Sequence, residues 1–324
     1  MADILTLGEL LIDLTEKDTD ENGNKKFTAY PGGAPANVAV AASRLGAKTG
    51  FIGKVGDDPF GHSLKETLEK EKVETKGLFF SHHYQTTMAI VAIGPNGDRE
   101  FSFYRSPGAD TQLKVMQSMS ALDDYGMPKI LHVGSLSMTT QPARNATEEA
   151  VRYAKEHGVV ISYDPNYRPV LWNNEAQAIR MMSILLPYAD IIKVADDEMT
   201  LLTGTEDYEE GSRILDEDYG VKLVIITLGA DGVFVRCGDI AERVPGVKTD
   251  IVDTNGAGDT FLGAMLAKLA ERKIGKDKTV LDDLTSEELR SYVEYANQAA
   301  ALTCSRPGAM PAMPTKKEMK KFEK

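Results

Sequence analysis

The chain is poor in cysteine, in tryptophan and in positive charge, and it has no long apolar run. Its two cysteines, Cys237 and Cys304, are too few for a disulfide framework and lack the Cys-x-x-Cys spacing of a structural zinc site. They point to a reducing compartment, and a cytoplasmic location is expected. With 37 Lys and Arg against 49 Asp and Glu, the formal charge is −12. No general positive field is available for a nucleic-acid backbone, although a local positive site for an anionic substrate remains open. No stretch of about 18 apolar residues occurs, so no membrane span is expected. The opening "MADILTLGELLIDLTEKD" carries Asp3 and Glu9 where a secretory leader would have positive charge and then an unbroken apolar core. The histidines at 62, 82, 83, 132 and 157 lack metal-ligand spacing, and His132, inside an apolar run, reads as a core residue. Three well-known motifs are also missing: the Walker A Gly-Lys-Ser/Thr, Gly-x-Ser-x-Gly and the Rossmann Gly-x-Gly-x-x-Gly. Those gaps weaken the P-loop, hydrolase and dehydrogenase readings.

What is present is an α/β rhythm. A chain of 324 residues with 42% hydrophobic content supports one large α/β domain with a smaller appendage. Residues 3–14 read as a strand interrupted at Gly8, "YPGGAPANVAVAASRLGA" as a glycine turn opening a helix, and 48–56 as a further strand before a helix at 60–72. The alternation resumes with strands at 129–136, 159–169 and 189–196, and with helices at about 141–157, 174–187 and 206–219. Between them, "TTMAIVAIGPNGDREFSFYR" reads as a hairpin turning at Asn96-Gly97. Its cluster of Phe101, Phe103, Tyr104 and Arg105 suits either a solvent-facing edge or a flap over a cleft. "KLVIITLGADGVFVR" reads as a second hairpin, and helices at 257–272 and 286–304 close the fold around a solvated, lysine-rich connection. The final "TKKEMKKFEK" reads as a solvated, frayed helical tail.

Four stretches place chemistry-bearing residues at element ends. "DTNGAGDTFLGAMLAKLA" puts Gly256, Ala257 and Gly258 at a helix start, where unpaired N–H groups and the helix dipole favour an anion. Asp259 sits in that first turn, an arrangement that suits phosphoryl transfer: amides stabilise the moving group while a carboxylate accepts the attacking hydroxyl's proton. "YPGGAPANVAV" offers Gly32 and Gly33, which leave the backbone open, and Asn37, which offers both donor and acceptor to hydroxyls. Asp13 ends the first strand and could accept bonds from two hydroxyls. "DPNYRPVLW" follows an apolar strand, so Asn166 and Arg168 lie at the strand's C-terminal end, where ligands gather in open α/β sheets. In "IIKVADDEM", Lys193 and Glu198 suit a nucleotide phosphate and a water-bridged magnesium, and "ITLGADGVF" supplies Thr227, Gly229 and Gly232 as a loop open to a nucleotide. Taken one at a time, each stretch is equally an ordinary turn, strand end or surface charge cluster.

Taken together, "PGGAPANVAVAASRLGAKTGFIGKVGDDPFG", "DPNYRPVLW", "DTNGAGDTFLGAML" and "SRPGAMPAMP", in this order over nearly the whole chain, resemble the ribokinase-like (PfkB) carbohydrate kinases, and among them the fructokinases most. The two longest motifs lie about 220 residues apart. The resemblance implies a single domain over 1–324, with a central, mostly parallel sheet flanked by helices and a small β-sheet lid from about 10–31 and 84–106. It implies ATP-dependent phosphorylation of D-fructose to D-fructose 6-phosphate, with Asp259 as general base and the N–H groups of Gly256, Ala257 and Gly258 as an anion hole. Asp13, Gly32, Gly33, Asn37, Asn166 and Arg168 would meet the sugar, with Arg105 reaching in from the lid. Thr227, Gly229, Gly232 and Asn297 would line the nucleotide pocket, with Lys193 and Glu198 nearer the phosphates and Mg2+. A potassium ion (K+) is a further candidate, beside Asp253, Asn255 and the backbone near Thr303 and Gly308. The resemblance also suggests a homodimer. Position 255 departs from the pattern, being Asn where Thr is usual. A 2-keto-3-deoxygluconate kinase and a non-catalytic sugar or nucleotide sensor stay open as alternatives. The ketodeoxy acid brings a carboxylate, for which Arg105 and Arg168 would be the cationic cover.

Overall fold

The computed structural model describes residues 2–93, 99–272 and 278–322. The "GPNGD" turn of the first hairpin and part of the lysine-rich connection lie outside the described residues. From the N-terminus, β1 (Ile4–Leu7), β2 (Leu11–Thr19) and β3 (Lys25–Gly32) precede α1 (Ala34–Arg44), β4 (Thr49–Gly56), α2 (Pro59–Lys70) and β5 (Val73–Ser81). Strands β6 (Met88–Ile93) and β7 (Arg99–Tyr104) lead to α3 (Val115–Tyr125), β8 (Ile130–Gly134), α4 (Ala143–Glu156) and β9 (Val160–Asp164). Then come α5 (Glu175–Met182), β10 (Ile191–Ala195), α6 (Asp196–Thr203), α7 (Tyr208–Tyr219) and the strands β11 (Leu223–Thr227), β12 (Val233–Cys237) and β13 (Ile240–Val244). Helices α8 (Ala257–Glu271), α9 (Ser286–Cys304) and α10 (Lys316–Met319) finish the chain.

Nine strands form one sheet in the order β13-β12-β11-β10-β9-β8-β1-β4-β5. Every pairing from β5 across to β11 is parallel, and β12 and β13 are added antiparallel. Strands β8 and β9 are buried along their whole length and read as nearly unbroken apolar runs, because helices cover both faces of a parallel sheet. One face is packed by Ala146, Ala150, Met182 and Leu215 from α4, α5 and α7, and the other by Val38, Leu262, Met265 and Leu289 from α1, α8 and α9. The chain leaves β1 for β4 on one side and returns to β8 on the other. The sheet's order therefore reverses between β1 and β8, the place where open α/β sheets leave a crevice for ligands.

A second sheet has the order β3-β2-β6-β7, with β2 and β6 parallel and both edges antiparallel. It corrects the reading of 3–14 as one interrupted strand, since β1 belongs to the large sheet and β2 to the small one. Burial follows the split. Residues 4–7 are all buried, whereas β2 goes from buried to exposed along its length, as a strand leaving the core must.

Strands β3, β5 and β13 and helix α3 carry mixed patterns that gave no clear signal. The predicted 174–187 helix stops as an α-helix at Met182 and continues as a tighter 3-10 segment, Ser183–Tyr188, which contains Pro187. The C-terminal tail is docked rather than frayed: Met319 is buried, Thr315 caps α10, and Arg306 bonds Glu318 at 2.7 Å. The connection before α9 is likewise held, because the Arg272 guanidinium donates to the carbonyls of Val280, Asp282 and Asp283 while Val280 and Leu281 are buried. Among the described residues no helix is long and apolar enough to cross a membrane.

Candidate active site

The site begins with a close helix contact. A Cβ on Gly263 would lie 2.6 Å from the Ala41 Cβ and 2.9 Å from the Val38 carbonyl oxygen, so only glycine lets α8 pack this tightly on α1. That approach brings the two N-termini together. Asn37, in α1, donates from Nδ2 to Asp259 Oδ2 at 2.8 Å, joining residues 222 positions apart in the chain.

The two glycine turns that precede these helices are built differently. At the first, a Cβ on Gly32 would meet Asp13 Oδ2 at 2.3 Å, and one on Gly33 (φ 106°) would meet the Glu9 carbonyl oxygen at 2.4 Å. The bare backbone thus lets Asp13 fold over the turn. The Ala34 N–H, at the start of α1, donates to the buried Glu9 carboxyl at 2.9 Å. At the second turn, Gly256 caps α8 with φ 73° and no side chain caps the helix. The N–H groups of Gly256, Gly258 and Asp259 meet no acceptor among the described residues, and that of Ala257 has only a long 3.3 Å bond to the Thr254 carbonyl. This is the open, anion-favouring helix start expected from "DTNGAGD".

A small cavity of about 100 Å³ lies between the turns. Asp13, Gly33, Asn37, Asn166, Arg168 and Asp259 all line it, together with Asn255 and Gly256. Leu11, Phe103 and Leu136 close its apolar side, and Glu9, Ala34 and Ala309 complete it. Burial pushes the Asp259 carboxyl up to about 6, helped by the charge of Asp164 and opposed by the Asn37 hydrogen bond and by Lys193 and Arg168. Burial raises Asp13 to about 7 against the pull of Arg168, and Asp259 adds to the rise. Glu9 is raised to about 7 by the same desolvation, its backbone hydrogen bonds opposing it. One oxygen of Glu9 and the Asn37 Oδ1 are buried without a partner among the described residues.

The other expected residues fall into three groups. Lys193 is buried beneath the anion-favouring turn: it bonds Asp164 at 3.1 Å, and its Nζ lies 3.1 Å from where a Gly258 Cβ would be. Glu198 accepts the Tyr167 N–H at 2.6 Å on one oxygen, which ties the loop after β9 to α6, and the Ala195 N–H at 2.8 Å on the other, which caps its own helix. Gly232 (φ 98°) packs its bare Cα 2.2 Å, in Cβ terms, from the Val244 carbonyl, and Asn297 donates to the Pro245 carbonyl at 3.1 Å. These two residues therefore meet at one segment, with Gly229 (φ 57°) and Thr227 at the neighbouring strand end. Asp253 accepts N–H bonds from Asn255 at 2.9 Å and Gly308 at 3.0 Å, which closes the loop before α8 onto the loop after α9. The Thr303 hydroxyl is used inside the helices, on Thr260 Oγ1 and the Ala299 carbonyl.

Arg105 departs from its expected place. Its guanidinium is buried on Asp110 at 2.7 Å and on the Leu136 carbonyl and Thr139 hydroxyl, so its charge is already neutralised away from Asp13 and Asp259. It lines a larger neighbouring cavity, of about 540 Å³, on the far side of Phe103. Volume does not locate the chemistry here, because the smaller cavity holds the carboxylates and the open amides. His132 is a core residue as expected, with Nδ1 at 3.1 Å from Ser162 Oγ and its pKa lowered to about 4 by burial. Glu9 and Asp164 gave no sequence signal as site residues.

An open helix start beside a buried carboxylate and a polyol-sized, polar cavity is the equipment of a phosphotransferase acting on an alcohol. The pfkB family carbohydrate kinase profile matches residues 1–316. A probable fructokinase-2 of Arabidopsis thaliana is 39% identical over 323 residues, covering 99% of this chain and 95% of the relative. Among solved structures, a fructokinase with bound ATP from Xylella fastidiosa superposes with a TM-score of 0.90 at 32% identity, covering 99% of this chain and 98% of that one. A double mutant of the fructokinase of Vibrio cholerae O395, bound to fructose, ADP and a potassium ion, gives 0.85 at 31% identity, covering 100% and 99%. The chain belongs to the pfkB family of carbohydrate kinases.

Proposed function

We propose that the protein transfers the γ-phosphoryl group of ATP to the primary hydroxyl of D-fructose, forming D-fructose 6-phosphate. The observation that carries this reading is Asp259, set by Asn37 at the mouth of an uncapped helix start. Asp13 and Arg168 share its cavity. Asp259 acts as general base: ionised above about pH 6, it is a stronger proton acceptor than an ordinary carboxylate. The amides of Gly256, Ala257 and Gly258 meet the charge that develops on the transferring group. Asp13, Asn37, Asn166 and Arg168 orient the sugar, and the four-stranded sheet, whose β2 and β7 carry Asp13 and Phe103, serves as its lid. Thr227, Gly229, Gly232 and Asn297 face the nucleotide.

Among the described residues no three His, Cys, Asp or Glu side chains cluster as a metal cage. Magnesium suits such a site, since it keeps waters and is held through nucleotide phosphates with few protein carboxylates. When bound, it neutralises phosphate charge. Glu198 contributes by fixing the Tyr167 loop. The Asp253 carboxylate, the Asn255 side-chain oxygen and the carbonyls near Thr303 and Gly308 would hold a hard cation such as potassium. The relatives' names and bound ligands support the sugar and nucleotide assignment. A soluble cytoplasmic protein and a homodimer through the small sheet complete the proposal.

A neutral sugar is favoured over 2-keto-3-deoxygluconate by Arg105, whose engagement with Asp110 leaves Arg168 as the cationic cover in the cavity. ADP release measured with fructose, 2-keto-3-deoxygluconate, ribose and adenosine tests the assignment. Fructose is expected to show the highest kcat/KM. A higher value for the sugar acid would move the substrate to that class, and ligand binding without turnover on any of the four would make the protein a sensor.

A further inference from the structure

Beneath the open turn of α8 lies a buried ion pair, of which the sequence pointed to Lys193 alone. Asp164, the last residue of β9, is 2% exposed. Its Oδ2 accepts from Lys193 Nζ at 3.1 Å, and its Oδ1 accepts the N–H of Asn166, a residue held at φ 46°. One carboxylate therefore sets both the ammonium below the turn and the first step of the loop that carries Asn166 and Arg168 into the cavity. Lys193 comes from β10, and the space a side chain at 258 would fill is where its ammonium approaches α8.

A buried ion pair is a poor source of stability, because removing two charges from water offsets most of their attraction. The second buried pair, Arg105 with Asp110, ties the end of β7 to the following turn and faces the larger cavity. The Lys193–Asp164 pair instead lies under the amides that the transferring group would meet. We propose that Asp164 is a positioning residue for phosphoryl transfer: it holds the Lys193 ammonium under Gly258 and sets its own negative charge against Asp259. The ammonium adds a fixed positive charge to the anion hole from below, while the carboxylate keeps that charge from stripping Asp259 of its basicity. This inference rests on Asp259 being the base.

The groups facing Asp259 are Asp164 from β9, Lys193 from β10, Arg168 from the loop after β9, Asp13 from β2 and the neutral Asn37 from α1. The sign of each substitution follows from that set. Removing a like charge lowers the base's pKa, and removing an opposite charge raises it.

The test is kcat, and kcat/KM for fructose at saturating ATP, from pH 5 to 9 for wild type, Asp164→Asn, Lys193→Met and the double variant. Asp164→Asn is expected to lower kcat at least about 10-fold and to move the acid limb to lower pH. Lys193→Met is expected to lower kcat comparably and to move the limb upward. In the double variant both members of the pair leave together, although Glu198 loses the Lys193 charge as well, so the folding of each variant is checked by circular dichroism; in the folded double variant the limb returns towards wild type while kcat stays low. Limbs that stay put or move in the same direction, or a folded double variant within about 2-fold of wild-type turnover, would overturn the proposal. Failure of the underlying reading shows separately, as an Asp259→Asn enzyme that still turns over.

Discussion

Two helices of this protein start behind glycines, and the protein completes only one of them. At α1 the buried carboxyl of Glu9 takes the Ala34 amide, so the helix start has an internal acceptor. At α8 the Gly256, Gly258 and Asp259 amides meet no acceptor among the described residues, Ala257 has only its long bond to the Thr254 carbonyl, and the Asp259 carboxylate is turned towards Asn37. "YPGGAPAN" and "DTNGAGD" look alike as sequence. The difference lies in what a bare Cα is for: at 32 and 33 it makes room for Asp13 and the Glu9 backbone, at 258 it makes room for Lys193. A glycine-rich helix start marks an anion site only when nothing in the chain already fills it.

The strongest way to break this comparison is at the open turn. Asp259→Asn keeps the Asn37 contact in shape while removing the base, and kcat should fall at least about 100-fold with nucleotide affinity, by calorimetry, changed no more than a few-fold. Near-normal turnover would remove Asp259 from the chemistry. The next test sets one turn against the other. Gly33→Ala forces a side chain into φ 106° against the Glu9 carbonyl and should destabilise the fold by about 2 kcal/mol or more, seen as a lower urea midpoint. Gly258→Ala meets only the flexible end of Lys193, so its midpoint should hold while kcat drops about 10-fold. If both variants lose stability, or both lose only turnover, the two turns are not different in kind.

The smallest expected effect concerns pH. Glu9, raised from 4.5 to about 7 in the fold, binds its proton more tightly folded than unfolded. Its contribution to stability is therefore full below about pH 4.5 and is lost as pH rises towards 7. Glu9→Gln keeps an acceptor for the Ala34 amide but has no proton to lose. Its thermal unfolding should fall less steeply between pH 5 and 8 than that of wild type, by of order 1–3 kcal/mol over the range. Equal slopes would mean that Glu9 is not the buried acid it looks to be.

The parallel core and the site's outline were legible in the sequence because they rest on local patterns. Apolar runs bounded by turns marked β8 to β11, and the motifs at both glycine turns placed Asn37 and Asp259 in first helical turns that do converge, whereas Asp13, expected to end a strand, lies inside β2 and still reaches the cavity. What escaped depends on partners remote in sequence. Nothing local to "SYDPN" tells that Asp164 will meet a lysine 29 positions on, and nothing in "GELL" tells that Glu9 will cap a helix starting 25 positions later. Arg105 misled for the same reason, since Asp110 close by claims the charge before any ligand could. Strand β13 and the docked tail escaped because edge strands and short terminal helices carry little apolar periodicity.

The close seat of α8 on α1 has a consequence for the protein's birth. Asn37 emerges early in synthesis, Asp259 late, and the Gly308 amide that closes the Asp253 loop later still. The large sheet can pair strand by strand as the chain lengthens, since β1 to β11 precede residue 228, but the transfer site has no counterpart in any partial chain. A ribosome-bound intermediate would lack the helix that faces the sugar-side turn, and catalytic competence would wait for the segment that carries Gly308.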